Sequence, residues 1–215
     1  MGSDDWFRRT SWTTQDAAAF QERLQRSRSD SSKAQYLRIQ ALHLAQVGNH
    51  EPALALIEQL LRLYPVPAEL ASSHLQRAES YAAIGSTEAA IGSFQKSLAA
   101  QAAYPNIRSN VALSFAWFIV LGRHGVLYCE VEPLLTLYEE DVGLLFPVQR
   151  FKCAVVRALL ASEQGRKEDA RRFADEAWSV AGEKHSGLRY YSKLGLVESV
   201  PAEVAQRLAA IGGRT

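Results

Sequence analysis

A six-residue pattern, Gly-x-x-Glu-x-Ala, occurs three times in the chain and constrains its fold more than any other feature. The pattern begins at Gly48, Gly85 and Gly165, and a further alanine precedes each of these glycines by seven residues. Glycine readily adopts the left-handed conformation that ends a helix, so each copy predicts a helix, a turn of about three residues and a second helix. The pattern therefore predicts an all-α chain built from repeated helix pairs.

The alanines of the pattern have a packing role. Two helices joined by a short turn approach closely only where the side chains at their crossing are small. We expect the larger side chains elsewhere on the facing surfaces to form the core. The alanines that flank the three turns are Ala41 and Ala53, Ala78 and Ala90, and Ala158 and Ala170.

A fourth, more divergent pair is predicted in the 80 residues from Gly85 to Gly165. Gly122 supplies its turn, with one helix over 107–121 and another over 126–138. Pro133 is expected to interrupt the second helix or to delay its start, because proline lacks the N–H that a helix interior needs.

The helix-turn-helix build, the glycine and alanine positions and the terminal prolines resemble the tetratricopeptide repeat, whose period is about 34 residues. The resemblance implies an all-α fold, an α-solenoid of about four tetratricopeptide-like hairpins with N- and C-terminal capping helices, in a single domain over residues 1–215. The predicted segments are a cap helix at 13–28, hairpins at 33–65, 67–105, 107–140 and 147–182, and a second cap helix at 201–211.

Over its whole length the chain is similar to an uncharacterised group of bacterial tetratricopeptide-containing proteins. The similarity implies a bacterial origin and carries over no catalytic residue. It lies in Asp5-Trp6-Phe7-Arg8 with Trp12, and in the stretches Gln35–Ala41, Phe146–Lys152 and Ser186–Tyr191.

Charge and hydropathy set expectations about partners and compartment. The 24 basic and 23 acidic side chains leave a formal net charge of +1, which gives no overall field for nucleic acid or an anionic membrane. The most apolar run, 111–121, covers about half of the roughly 20 residues that a membrane span needs. No basic segment followed by an apolar one opens the chain, so we expect a cytoplasmic protein that binds neither nucleic acid nor membranes.

The sequence assembles no recognisable catalytic, metal or cofactor site. Its five histidines stand singly, without the spacing of zinc ligands. Phosphate-binding glycine loops and nucleophile elbows are also absent. Cys129 and Cys153 are predicted to be unpaired, buried thiols. We therefore expect a protein without cofactor, metal or enzymatic activity.

Stacked helix pairs place the first helix of each pair, the leading helix, on a concave surface and the second, the trailing helix, on the convex back. We therefore expect a protein or peptide to bind residues of the leading helices. The predicted partner-binding residues are Arg38, Leu42, Gln76, Glu79, Leu113, Trp117, Lys152, Val156 and Leu159.

The resemblance also argues against one partner. Tetratricopeptide domains that bind the acidic C-terminus of heat-shock chaperones use a clamp of Lys, Arg and Asn for two carboxylates. Leu42 and Glu79 stand where asparagines would be expected, and Glu79 would repel the carboxylate of such a ligand.

The predicted helix over 111–121 is apolar around nearly its whole circumference, so it needs cover on all sides. Cover within the chain is the first expectation, a homodimer the second, and a functional groove the third. Exposing Leu113, Trp117 and Val120 would forfeit roughly 1.5–3 kcal/mol for each side chain.

Three functions are compatible with these features. The first is a noncatalytic protein–protein interaction module that binds a polypeptide through its concave face. The alternative is an immunity or chaperone-like protein that masks a bacterial toxin or a secreted substrate. The third is a small-ligand-sensing domain or enzyme that uses the apolar, more divergent pair at 107–140 with His124 or Glu139.

Overall fold

The computed structural model describes residues 5–143 and 146–213, which form ten α-helices and one short 3₁₀ helix. No strand occurs among these residues. The prediction of an all-α chain is therefore confirmed. The helices group into two units, one up to Val111 and the other from Ala112 onwards.

Five helices make up the first unit. They are α1 (Thr14–Gln25), α2 (Asp30–Gln46), α3 (His50–Leu63), α4 (Pro67–Ala83) and α5 (Thr87–Ala103). The next helix, α6 (Val111–Leu121), begins at the boundary. The second unit continues with the 3₁₀ helix (Gly125–Leu127), α7 (Tyr128–Asp141), α8 (Pro147–Glu163), α9 (Lys167–Ala181) and α10 (Ala202–Gly212).

The three turns marked by the pattern share one backbone geometry. Gly48, Gly85 and Gly165 have φ angles of 82°, 76° and 73°, in the left-handed region. At the first turn the N–H of Asn49 donates to the Leu44 carbonyl at 2.9 Å, and the N–H of Gly48 donates to the Ala45 carbonyl at 3.0 Å. These are the two bonds of a Schellman motif. The equivalent bonds form at the other two turns, so the predicted left-handed glycine is confirmed at each.

The turn after α6 has the same geometry, but its left-handed residue is Arg123, with a φ of 54°, instead of the predicted Gly122. The N–H of His124 donates to the Ile119 carbonyl at 2.9 Å, and that of Arg123 donates to the Val120 carbonyl at 3.3 Å. An arginine in this conformation has backbone strain that a glycine avoids.

Gly122 is needed for a different reason. A Cβ atom at this position would lie 2.3 Å from Nε2 of His124, so a side chain here would collide with the imidazole. The predicted register of the fourth pair was therefore wrong by one residue. Aligned on Arg123, Ala116 takes the position that Ala41, Ala78 and Ala158 occupy in the other leading helices.

Helix α6 is also shorter than the other leading helices, with 11 residues against 17 in each of α2, α4 and α8. The predicted start near Ile107 is occupied by a non-helical segment. Oε1 of Gln101 accepts hydrogen bonds from the N–H and hydroxyl of Ser109, at 2.9 and 2.7 Å, and Oγ of Ser109 accepts from the N–H of Val111 at 3.3 Å. Side-chain oxygens thus accept hydrogen bonds from the backbone N–H groups of Ser109 and Val111, just before and at the start of α6.

Helix α7 continues through Pro133. The predicted interruption is therefore wrong. The 3₁₀ helix precedes α7 and brings the chain out of the Arg123 turn, so regular α-helix starts only at Tyr128. Pro133 is exposed.

The six alanines that flank the glycine turns are all at most 2% exposed. In the first unit α2 packs against α3, α4 packs against α5, and α4 also contacts α2 and α3. In the second unit α8 packs against α9, and α10 packs against both. The small residues therefore lie in the interior, where they allow close approach of the paired helices.

The N-terminal segment is fixed to the first unit. The rings of Trp6 and Trp12 lie 5.2 and 5.5 Å from that of Phe20 on α1. Gln40 on α2 accepts a hydrogen bond from the N–H of Arg9 at 3.0 Å and donates to the Arg9 carbonyl at 2.6 Å. This buried amide thereby pairs with both the N–H and the carbonyl of one backbone residue of the segment.

Candidate binding surfaces

Two neighbouring leading helices, α2 and α4, carry four of the predicted partner-binding residues. The buried apolar residues of α2 are Ala34, Leu37, Ala41 and Leu44, which form a stripe along the helix. Arg38 and Leu42 lie one turn apart beside this stripe and are half-buried. This flank of α2 therefore presents both a cationic and an aliphatic side chain.

On α4, Gln76 is half-buried and Glu79 is exposed. Oε1 of Gln76 is buried and accepts no hydrogen bond from the part of the chain that the structure describes. The two helices thus place an aliphatic, an amide and a carboxylate side chain on one unit.

Arg38 is already engaged. Its Nε donates to Oε2 of Glu69 on α4, and the two side chains are only 22% and 16% exposed. The ion pair joins α2 to α4 and is partly buried, so dissolved salt weakens it less than it weakens an exposed pair. Arg38 therefore positions the two helices, and its guanidinium is not a free anchor for a partner.

The second unit corrects three of the predicted residues. Leu113, Val156 and Leu159 are 3%, 1% and 2% exposed, so their side chains lie in the interior instead of on an accessible face. The cause on α8 is burial over most of its circumference, because this helix packs against both α9 and α10. The sequence predicts that one side of α8 is accessible to a partner, which this packing does not allow.

Trp117 and Lys152 remain accessible in the second unit. Trp117 is half-buried and Lys152 is exposed, and the ammonium nitrogen lies 5.7 Å from the centre of the tryptophan ring. A cation at this distance is attracted by the face of the ring. The two residues form one amphipathic patch.

The apolar helix α6 is mostly buried within the chain. Seven of its eleven side chains are at most 3% exposed, and the other four, Ser114, Trp117, Phe118 and Leu121, are half-buried. The rings of Phe118 and His124 lie 4.6 Å apart and nearly parallel, with 30° between their planes. The imidazole therefore covers one of the exposed edges of α6.

A cleft of about 210 Å³ opens at the C-terminal end of α6. Arg207 of α10 lines it, and its guanidinium donates to the carbonyls of Val120 and Leu121 at 3.4 and 3.3 Å. Arg207 also forms an ion pair with Glu163 at 3.4 Å, and Glu163 forms a second ion pair with Arg123 at 3.5 Å. Arg207 thus adds hydrogen bonds to carbonyls at the C-terminal end of α6, where that of Val120 also accepts the N–H of Arg123, and this is a structural task.

The residues considered for an enzyme or ligand sensor lie apart from this cleft. His124 packs on Phe118, and Glu139 pairs with Arg157 at 2.8 Å; neither lines the cleft. Among the residues described, no three His, Cys, Asp or Glu side chains are grouped so as to hold a metal ion.

The two cysteines differ in environment. Cys153 is buried, as predicted, and burial raises the pKa of its thiol to about 12. Cys129 is exposed, so the prediction that it is buried was wrong. It lies in the first turn of α7, on the side that faces solvent.

A loop between α9 and α10 presents the most exposed aromatic residues among those described. We call this segment, Ser186–Leu194, the tyrosine loop. Its most exposed large hydrophobic side chains are Tyr190, Tyr191 and Leu194, which are 81%, 66% and 51% exposed. None of these three residues is among the predicted partner-binding residues. The signal was present, since two tyrosines and several cations follow the Ser186-Gly187 break.

The tyrosine loop is closed by its own hydrogen bonds. The N–H of Ser186 donates to the Ser192 carbonyl at 2.7 Å, and the Ser186 hydroxyl donates to the Tyr191 carbonyl at 2.7 Å. The loop is also tied to α8, because the N–H of Val148 donates to the Gly195 carbonyl at 2.8 Å. The bonds of Ser186 join the two ends of the loop, so it forms a compact turn from which the exposed side chains project.

Within the described ranges, no helix has both the length and the apolar character required to cross a bilayer. Compared with known proteins, the chain matches no family model, no curated protein and no solved structure.

Proposed function

We propose that this chain is a noncatalytic protein-binding module of the tetratricopeptide type, an α-solenoid of four stacked helix pairs that receives a polypeptide on its leading helices. One observation carries the proposal: the same turn geometry occurs four times, at a fixed distance after a small buried residue in each leading helix. Those residues are Ala41, Ala78, Ala116 and Ala158.

Packing within the first unit supports stacking of the pairs. Helix α4 contacts its own partner α5 and also both helices of the preceding pair. The partly buried ion pair between Arg38 and Glu69 also holds the leading helices α2 and α4 together. A solenoid needs this kind of contact between successive repeats, because no single pair buries its apolar surface alone.

The accessible side chains indicate the class of partner. Leu42, Gln76 and Glu79 give the first unit a face of mixed aliphatic and polar character, and Trp117 with Lys152 add an aromatic–cation patch on the second. Such mixtures are typical of surfaces that bind peptides or helices, with aromatic residues as energetic anchors. The proposed partner is a protein or peptide.

The experiment starts from 12-residue peptides selected by display against the full chain. Their affinities are then measured by fluorescence anisotropy for the wild type and for a triple variant, Leu42→Asp, Gln76→Ala and Glu79→Lys. We expect the variant to bind at least about tenfold more weakly, since one tenfold step corresponds to about 1.4 kcal/mol.

A matched control changes three exposed residues of the trailing helices: Arg62→Ala, Gln95→Ala and Lys96→Ala. This variant should retain the wild-type affinity within about twofold, because such positions lie on the convex back in a solenoid. Peptides that bind the triple variant of the leading helices as tightly as the wild type would contradict the assignment of this face.

A further inference from the structure

We infer that the tyrosine loop is a second docking surface, which binds an acidic segment of a protein partner. The inference deepens the proposed protein-binding function, but it concerns residues far in sequence from the faces of α2 and α4. Its elements are a closed backbone, exposed aromatic side chains and an excess of positive charge.

The tyrosine loop and the residues that flank it, between Glu183 and Glu198, carry only positive charge. Lys184, Arg189 and Lys193 are all exposed, and no Asp or Glu stands between Glu183 and Glu198. Glu183 is itself neutralised by Arg150, with two hydrogen bonds of 3.0 and 2.8 Å. A local excess of three positive charges therefore faces the solvent in a chain whose net charge is only +1.

These cations are available to a ligand. Across residues 5–143 and 146–213, none of Lys184, Arg189 and Lys193 takes part in an ion pair. Most arginines elsewhere in those residues face a carboxylate, as Arg38, Arg157 and Arg207 do. A partner carboxylate would therefore meet charges that the fold leaves uncompensated.

The aromatic residues supply the apolar part of the surface. The guanidinium carbon of Arg189 lies 5.4 Å from the centre of the Tyr190 ring, so a cation and an aromatic face are presented together. Tyr191 and Leu194 extend the exposed apolar area. Tyrosine and arginine are the residue types most often found as anchors at protein interfaces.

The closed backbone reduces the entropic cost of binding. Ser186 is only 8% exposed, and its N–H and hydroxyl donate to the Ser192 and Tyr191 carbonyls, so the loop's own hydrogen bonds close its backbone. A loop fixed in its binding conformation loses less freedom on association than a mobile one.

The observations favour an acidic polypeptide over other anions. Nucleic-acid binding depends on many phosphate contacts and a broad basic surface, and recognition of anionic lipids typically uses clusters of four to eight cations. The three cations here are interleaved with tyrosines and a leucine. Carboxylates separated by apolar side chains match this composition.

The probe is a fluorescein-labelled decapeptide in which eight glutamates flank two phenylalanines, tested by anisotropy on the full chain at low salt. Its counterpart has glutamine at every glutamate. We expect the acidic peptide to bind at least about tenfold more tightly than the glutamine peptide, and its affinity to fall as NaCl is added. Equal affinity of the two peptides would overturn the inference.

Variants then locate the site. Tyr190→Ala with Tyr191→Ala, and separately Arg189→Ala with Lys193→Ala, should each weaken binding of the acidic peptide at least about tenfold. The matched control, Lys167→Ala with Arg171→Ala, removes two exposed cations from α9 and should leave affinity within about twofold. An equal loss in the control would show nonspecific charge attraction and overturn the site.

Ser186→Ala tests the closed backbone, because it removes the hydroxyl that donates to the Tyr191 carbonyl and accepts from the N–H of Leu188, while the exposed tyrosines and cations are unchanged. A several-fold loss of affinity with an unchanged circular dichroism spectrum is expected. Tighter binding of a single-stranded oligonucleotide or of phosphatidylserine vesicles than of the acidic peptide would overturn the choice of partner.

The same probe separates this inference from the proposed function. If the triple variant of Leu42, Gln76 and Glu79 loses the display-selected peptides but keeps the acidic decapeptide, both surfaces stand. If the tyrosine variants keep the decapeptide, the loop is not its site, and the proposal for the leading helices is unaffected.

Discussion

The turns at Gly48, Gly85 and Gly165 and the turn at Arg123 have the same backbone geometry but different sequences. In each, the next residue has φ between −77° and −82° and ψ between 64° and 74°. Arginine tolerates this arrangement only at a cost in strain. The turn geometry therefore forms without glycine at Arg123, and glycine at the other three turns avoids the backbone strain that arginine has there.

The largest effect is expected at the small residues before the turns. Ala78→Leu places three more carbon atoms in a fully buried site and should lower the free energy of unfolding by about 1–3 kcal/mol or more, measured by urea denaturation. If the fourth pair shares this packing, Ala116→Leu should show a similar loss, since Ala116 is also fully buried.

Ala83→Leu is the matched control, because Ala83 lies on the same helix as Ala78 but is exposed. Its effect should stay within about 0.5 kcal/mol. Tolerance of leucine at Ala116, together with a large loss of stability at Ala78, would show that the fourth pair is packed differently from the other three.

The turns themselves should give the next largest effect. Gly85→Ala forces a side chain into the left-handed conformation and should cost about 1–2 kcal/mol, although a Cβ there meets no atom within 4 Å. Arg123→Gly removes the same strain and should raise the free energy of unfolding by up to about 1 kcal/mol, as measured by urea denaturation.

Arg123→Ala separates backbone strain from charge. It keeps the strain and removes only the guanidinium, whose partner Glu163 lies 3.5 Å away while the arginine side chain is 68% exposed. We therefore expect a change within about 0.5 kcal/mol. A loss of stability in Arg123→Gly would show that the fourth turn does not have the strain that its φ angle indicates.

The smallest effect concerns a polar residue at an otherwise apolar position. Eleven residues before the turn, the other leading helices have Leu37, Ala112 and Ala154, all at most 2% exposed, whereas α4 has His74. Burial, with Arg77 and Lys96 nearby, lowers the pKa of His74 below its usual 6.5. The unfolded chain therefore binds the proton more readily than the folded one.

This pKa difference gives a stability that is present above pH 6.5 and decreases as the pH falls through the lower folded-state value. His74→Gln should lose less stability than the wild type between pH 7 and 5, measured by urea denaturation at each pH. His185→Gln, in an exposed position, is the control and should follow the wild-type pH dependence.

The sequence was sufficient to predict the helical class and the three glycine turns, because a positive φ requires glycine in most contexts. The fourth turn was predicted one residue too early, since Gly122 allows the close approach of His124 and no local signal marks a strained Arg123. Local patterns therefore predict a turn only where its conformation selects the residue.

The candidate surfaces were less predictable. Leu113, Val156 and Leu159 were assigned to an open face, but their burial depends on which elements pack around α6 and α8. That packing depends on residues distant in sequence, such as those of α10 on α8. The tyrosine loop was missed because the exposure of Tyr190 and Tyr191 follows from the hydrogen bonds of Ser186, which no periodic pattern predicts.

The aromatic N-terminal segment has a consequence for how the chain acquires its structure during synthesis. Every residue of the core cluster that joins α1, α2 and α3, from Phe20 to Leu60, and every partly buried residue packed on it lies between Trp6 and Val66. About the first third of the protein, once it has left the ribosome, therefore contains every residue of this cluster. These side chains can meet before α4 is synthesised, which shortens the time that they spend exposed to aggregation.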